Sequence, residues 1–411
     1  MTSPSTHVIV GASLAGATAA AELREQGFEG RVVLVGTEDE APYERPPLSK
    51  EYLRGEAERE ASLVHPAGFY EEHEIELRLD STVTELDLNA SEAVLDDGER
   101  LPFDRLLLAT GATPRRLEVP GGELDGLHYL RTFADADALI ADMRDASRIV
   151  VVGGGWIGAE VAASARGRGL DVALVEQSHV PLERVLGSEV GGIYADIHRD
   201  HGVELETDAA VEAFEGDGRV ERVRLAGGRA LDCDLAVVGV GVVPNVQLGA
   251  DAGLEVDNGV VTDERLRTSD ARIFAAGDVA NAWHPLYGAR VRVEHWANAG
   301  GQGPAAARSM LGGEQAYGAV PYFYSDQYDV GMEYAGLALR WDDVVFRGDP
   351  AGREFVAFWI LDGRVVAGMN VNVWDVTDPI QALIRAGRPV DVARLTDPEV
   401  DLSDLAPSAG Q

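Results

Sequence analysis

An α/β fold built from two nucleotide-binding units, with an α+β domain after them, is predicted by three features of this sequence. A short apolar run, a glycine-rich turn, a small-residue helical stretch and a second apolar run succeed one another within residues 7–36. The same succession returns at residues 148–177, about 140 residues later, which is too long a period for a solenoid. After AGDVA, residues 276–280, the character changes to clustered aromatics and alternating apolar residues.

Taken in order, HVIVGA (7–12) reads as a buried strand, LAGATAAAELREQG as a helix closed by glycine, and RVVLVG (31–36) as the next strand. EAVLDDGERLPFDRLLLATGATP reads as a hairpin leading into a buried strand, and GGRALDCDLAVVGVGVVP echoes it later. RIVVVGGG (148–155), the helical WIGAEVAASARGRG and the strand DVALVEQ (171–177) make the second unit. Aromatics gather in PYFYSDQY, EFVAFWILDGRVVAGMNVNVW alternates as antiparallel strands do, and the tail from Asp375 reads as short helices. A chain of 411 residues holds two or three domains. The expected division is 1–111 with 245–322, then 112–244, then 323–411.

Seventy acidic against 35 basic side chains leave a net charge of −35, which opposes attraction to nucleic acid or anionic lipid. The opening MTSPSTHVIVGAS has no cationic leader, and no apolar window reaches a membrane span, so a soluble, cytoplasmic protein is expected. Cys233 is the single cysteine, so no internal disulfide forms, and its apolar surroundings mark a buried strand residue. His198 and His201, in HRDH, share a helix face, but no carboxylate constellation joins them, so a solvated face and no metal are expected. Neither a nucleophile elbow nor a P-loop occurs.

The chemistry lies in the two glycine turns. In the first, Gly11 permits the tight turn, Gly16 lets helix and strand approach, and Ser13 holds the middle position where the backbone nears a pyrophosphate. Glu38 follows 22 residues beyond Gly16, where a carboxylate accepts bonds from ribose hydroxyls. In the second, Gly153, Gly155 and Gly158 have the full spacing, with Gly154 an extra glycine, and Glu176 lies 18 residues beyond Gly158. A carboxylate there suits a free 2′-hydroxyl and repels a 2′-phosphate, so NADH is expected rather than NADPH. Two dinucleotide sites in one chain imply electrons passing between two cofactors.

VGASLAG, PYERPPLSK, LLLATGATPR, VVVGGGWIGAE, FAAGDVA, VEHWANA and YSDQYD together resemble the FAD-dependent, NADH-linked ferredoxin reductases of bacterial oxygenase systems, the putidaredoxin and rhodocoxin reductase type. The resemblance implies a glutathione-reductase-like pair of Rossmann-like domains plus a C-terminal α+β domain. It implies FAD contacts from Gly11, Ser13, Leu14, Ala15, Gly16, Glu38, Arg45, Lys50, Val83, Ala109, Thr110, Gly111, Arg131, Gly277, Asp278 and Trp296. For NADH it implies Gly153, Gly155, Trp156, Ile157, Gly158, Glu176 and Gly241. The implied partner is a transiently bound 2Fe-2S ferredoxin serving a cytochrome P450 or a ring-hydroxylating dioxygenase; charge and hydropathy argue against a nucleic acid or membrane partner, and the oligomeric state, monomer or dimer, stays open. The chain departs from the pattern at Tyr324, where many relatives have tryptophan, and in VNVWDVTDPIQALI, which lacks a basic run; both leave the partner open.

In this reading Lys50 and Glu160 are the catalytic residues. Lys50 lies near the flavin, where a cation favours the anionic reduced ring. Glu160 pairs with Lys50, or else is an exposed glutamate favoured at a helix start. Trp156 covers the flavin or simply packs. Trp296, Phe323 and Tyr324 shape an acceptor edge or belong to the core, and Arg308 and Arg340 meet an acidic ferredoxin or are merely solvated. Rubredoxin reductase and flavin NADH oxidase are the nearest alternatives; an apoptosis-inducing-factor-like redox sensor is a more distant one.

Overall fold

In the computed structural model, which describes residues 5–405, the apolar runs of both repeated patterns are strands. The chain divides into two units: one holds the residues through Glu44, Arg59–Thr113 and Val243–Pro321, and the other holds Arg45–Glu58, Pro114–Val242 and the residues from Tyr322 onward. PYERPPLSK is therefore split after Glu44.

In the first unit, Ile273–Ala275, Arg105–Leu108, Thr6–Val10, Arg31–Val35 and Ile75–Arg78 form a five-stranded parallel sheet in that order. Val8, Ile9, Val33, Leu34, Leu106 and Leu107 are wholly buried, as a sheet covered on both faces requires. One cover is a pair of helices, Leu14–Glu25 and Trp296–Met310, whose alanines (Ala17, Ala19, Ala20, Ala305, Ala306, Ala307) let the backbones approach closely. The other is the antiparallel meander Val83–Asp87, Glu92–Leu95 and Arg100–Pro102, whose last two strands are the expected hairpin and whose Val83, Leu86, Leu95 and Leu101 join the core.

The second unit repeats the parallel sheet, in the order Glu204–Glu206, Asp171–Val175, Arg148–Val152, Leu235–Val238, Leu127–His128. It also contains an antiparallel sheet in the order Tyr322–Gln327, Val330–Gly336, Arg364–Val371, Glu354–Leu361, Asp343–Asp349. The helix Glu183–Asp200 lays Leu186, Val190, Tyr194 and Ile197 against Phe355, Trp359 and Met369, and the Trp359 Nε1 donates to the Leu186 carbonyl at 3.1 Å. On the other face the helix Thr377–Ala386 brings Ile380 against Gly368. With helices on both sides, Glu354–Leu361 is buried along nearly its whole length, and its expected alternation gives way to a continuous apolar run. The tail forms the expected short helices, including Val392–Thr396.

Two smaller expectations are corrected. His198 is wholly buried, because the face of its helix that carries it packs onto the antiparallel sheet, where its Nδ1 shares a hydrogen bond of 2.9 Å with the Tyr328 hydroxyl. Cys233 is buried but lies between strands, just after Ala230–Asp232. Among the described residues, no helix is long and apolar enough to cross a membrane, and no group of three or more ligating side chains could hold a metal ion.

Candidate functional site

The two glycine turns obey the same sterics. Gly11 and Gly153 have φ of +119° and +101°, and a Cβ on either would stand 2.1 Å from the Ala109 carbonyl oxygen or 2.3 Å from that of Gly239. A Cβ on Gly16 would stand 2.0 Å from the Gly11 oxygen, and one on Gly158 would stand 1.9 Å from the Gly153 oxygen. Only glycine permits the strand to turn into the helix at this separation.

Each turn delivers a helix whose N-terminus is bare. Ser13 caps Leu14–Glu25 in extended conformation, but its hydroxyl makes no bond to the helix; Gly155, the cap of Trp156–Gly167, has no side chain to offer. Neither helix carries an acidic residue in its first turn. The helix Phe133–Met143, by contrast, has a complete capping box from Thr132 and Asp135. The first-turn N–H groups of both glycine-turn helices are thus suited to an anion such as a pyrophosphate. A Cβ at Gly155 meets nothing within 4 Å, so open space lies beside its backbone. These residues fit two dinucleotides.

The acidic residues beyond the turns are held in place. Glu176 accepts from the Gly154 N–H through Oε2 and from the Ser178 N–H through Oε1, both at 2.7 Å, which fixes its carboxylate over the glycine loop. Glu38 accepts from the Tyr43 hydroxyl at 2.5 Å. In the same unit Val83 and Ala109 are buried, Thr110 exchanges hydrogen bonds with Asn245, and Gly111 has positive φ. Gly277, at φ +78°, faces Ala15 and donates to the Gln302 Oε1 at 2.8 Å; Asp278 follows it and is half-buried. Trp296 opens its helix, is 38% exposed, and donates to Glu44, whose carboxyl burial holds above the usual carboxylate range despite that bond.

The second unit holds the remaining predicted residues. Arg45 donates to the Arg131 carbonyl, and the Arg131 N–H donates to Asp135 at 3.0 Å. Pro46–Ser49 is a 3-10 turn, and the following helix starts at Glu51, so Lys50 sits at a corner and is only 4% exposed. Its Nζ lies 2.9 Å from the Glu160 Oε2 and 3.1 Å from the Pro46 oxygen. The ring of Tyr324 lies 5.4 Å from the Lys50 Nζ. Glu160 is 5% exposed, so the reading of it as an exposed helix-start glutamate is set aside. Its carboxylate also accepts the Ser49 hydroxyl at 2.5 Å and the Ser325 hydroxyl at 2.7 Å. A buried ion pair persists only where its remaining lone pairs are satisfied, and these hydroxyls do that.

Trp156 packs edge-on to Phe323, with centroids 4.9 Å apart, and to Tyr194 at 6.0 Å, while Ile157 is exposed. Gly241 has φ +98° and accepts at its carbonyl from the Arg115 N–H. Arg308 forms an ion pair with Glu22 at 2.8 Å, and Arg340 is exposed. Sequence reasoning missed Ser49, Ser164 and Ser325. The signal was present for two of them: Ser49 adjoins Lys50, and Ser164 stands one helical turn beyond Glu160 and donates to the Ser49 carbonyl at 2.7 Å.

Residues 5–303 match the pyridine nucleotide-disulphide oxidoreductase family, and residues 322–406 match a reductase C-terminal family. The rhodocoxin reductase of Rhodococcus erythropolis is 42% identical over 89% of this chain and 86% of its own. The putidaredoxin reductase CamA of Pseudomonas putida is 37% identical over 98% and 97%. Among solved structures, the covalent putidaredoxin reductase–putidaredoxin complex matches with a TM-score of 0.95 at 36% identity, covering 98% of both chains. The ferredoxin reductase for the CYP199A2 system of Rhodopseudomonas palustris matches at 0.94 and 35%, over 98% of this chain and 99% of that one.

Proposed function

Because the chain belongs to the bacterial ferredoxin reductases within the pyridine nucleotide-disulphide oxidoreductase family, we propose that it takes electrons from NADH through FAD to a 2Fe-2S ferredoxin, which supplies a cytochrome P450 or a ring-hydroxylating dioxygenase. It is an oxidoreductase, and FAD and NADH are its cofactors. The observation that carries the reading is the pair of equivalent glycine turns, each feeding a helix with a bare N-terminus. Its use of NADH makes a cytoplasmic setting part of the proposal.

FAD, when bound, accepts a hydride and gives up its electrons one at a time, which joins a nicotinamide donor to one-electron acceptors. The protein's part is to hold and orient. Gly11 to Gly16 and Glu38 would receive the ADP half of FAD, with Val83, Ala109, Thr110, Gly111, Gly277, Asp278 and Trp296 continuing the site in the same unit. Gly153 to Gly158, Glu176 and Gly241 would receive NADH; Glu176, already fixed by two backbone donors, is set to accept from ribose hydroxyls and to repel a 2′-phosphate. Residues 1–111 with 245–322 would thus serve FAD, 112–244 NADH, and 323–411 the protein partner. Arg45, Arg131 and Lys50 carry their assignments to FAD from the resemblance, and Lys50 would offer a cation to the reduced ring while Glu160 keeps that cation in one position.

No protein disulfide takes part. Cys233 is the only cysteine, is buried, and has its thiol pushed up to about 12 by burial, far from a reactive thiolate. The test is stopped-flow reduction by NADH followed by ferredoxin-dependent reduction of cytochrome c. Rapid flavin reduction with ferredoxin-stimulated turnover is expected; rapid reduction without any stimulation would sink the assignment.

A further inference from the structure

We infer that Ser325, oriented by Gln327, is a positioning residue for the flavin-reducing step, and that it acts through Glu160. The inference rests on the reading that the Lys50 and Glu160 pair serves the flavin. In the strand Tyr322–Gln327 burial alternates, so Phe323, Ser325 and Gln327 point to the buried side while Tyr322, Tyr324 and Asp326 point away. Polar side chains on the buried face of a strand are unfavourable unless bonded, and both are almost completely buried at 1% exposure.

The bonds run in one direction. The Gln327 Nε2 donates to the Ser325 Oγ at 3.3 Å, which occupies a lone pair of the hydroxyl and leaves its proton for the Glu160 Oε1 at 2.7 Å. The other carboxylate oxygen, Oε2, takes the Lys50 ammonium at 2.9 Å and the Ser49 hydroxyl at 2.5 Å. Lys50 and Ser49 thus share one oxygen, and Ser325 is the donor on the other. Glu160 and Lys50 are held face to face only while both oxygens are engaged, since a carboxylate with an unpaired buried oxygen can rotate about its last torsion. Ser325 therefore fixes the second oxygen, and with it the rotation of the carboxylate that faces the Lys50 ammonium, itself also held by the Pro46 carbonyl.

The strand supplies an independent reason to separate this role from mere packing. Phe323, on the same face, already packs against Trp156 and stacks on Tyr334 with centroids 5.1 Å apart, so the strand has an apolar anchor of its own. Loss of one hydroxyl leaves that anchor intact.

The experiment is a double-mutant cycle on the holoenzyme, with Ser325→Ala, Glu160→Gln, the double variant and Ser325→Thr, read by FAD content, the flavin midpoint potential and the rate of reduction by NADH. Ser325→Ala is expected to keep full FAD content, to lower the potential, and to slow reduction about tenfold at unchanged NADH affinity, the size of one hydrogen bond to a charged group. Ser325→Thr, which keeps the hydroxyl, restores both readouts, and Ser325→Ala adds nothing once Glu160 is glutamine. Equal effects of Ser325→Ala in the presence and absence of the Glu160 carboxylate would overturn the inference, as would an unmoved potential. If Glu160→Gln itself leaves potential and rate unmoved, the reading beneath the inference falls, and the inference with it.

Discussion

His198 shows how a single residue's role depends on what packs over it. Its burial forces the imidazole toward the neutral form, and burial, with a smaller contribution from nearby His201, takes its pKa down to about 4. The group titrates near 6.5 when unfolded, so between pH 6.5 and 4 the unfolded chain binds a proton that the folded chain does not, and stability falls as pH falls. A full shift of this size is worth about 3 kcal/mol. His198→Asn, which keeps a polar atom for Tyr328 but cannot titrate, is expected to flatten part of the decline in unfolding midpoint over that window; an unchanged acid slope would show that His198 is not its source. His7 and His295, also taken to about 4 chiefly by burial, contribute slopes of the same sign that remain in the variant. None of this was legible in HRDH, where i, i+3 spacing suits a solvated face, because the covering Tyr328 arrives from 130 residues away. The Lys50 and Glu160 pair was legible, since the resemblance places Lys50 near the flavin and favours Glu160 as its partner. Its third support, Ser325, was not, because its contact to Glu160 spans 165 residues and strand alternation says which side a hydroxyl faces but not what waits there.

At the scale of the element, strand, turn and helix are legible because each rests on local rules: apolar β-branched runs, a glycine where the turn has positive φ, and a small residue where helix meets strand. The glycines nevertheless do different work, and the second turn separates them. Gly158 is structural, since its Cβ would stand 1.9 Å from a carbonyl oxygen that belongs to the turn itself. Gly155 is at φ −76°, a conformation any residue adopts, with nothing within 4 Å of its Cβ position. Gly155→Ala is therefore expected to hold its unfolding midpoint, with a change within about 0.5 kcal/mol, while Gly158→Ala loses about 1–3 kcal/mol or more by forcing the backbone to move. Gly155→Ala should instead weaken NADH by about tenfold, because the new methyl stands where a pyrophosphate nears the backbone. Calorimetry of both variants, with an NADH titration of the first, checks the contrast; normal NADH affinity in Gly155→Ala would place the dinucleotide elsewhere. What local rules do not convey is layering. Alternation is the default for an antiparallel strand and would leave Glu354–Leu361 half-exposed; only the two helices that cover its sheet make it a core strand.

At the scale of the whole molecule the dominant quantity is charge. A net charge of −35 sets up a field that a small acidic ferredoxin must approach against, and proteins of like sign associate more slowly at low ionic strength. Pairing inside the protein leaves this field in place: Arg308 is already engaged by Glu22, so it offers little attraction of its own. Long-range repulsion extends about 30 Å at 0.01 M salt and about 10 Å at 0.1 M. Turnover with an acidic ferredoxin should accordingly rise as ionic strength increases over that range, through KM for the ferredoxin, while reduction of the flavin by NADH in single-turnover experiments stays level. A fall with salt would mean that a local basic patch outweighs the net charge and guides the partner in, and the exposed Arg340 would then be the first side chain to replace.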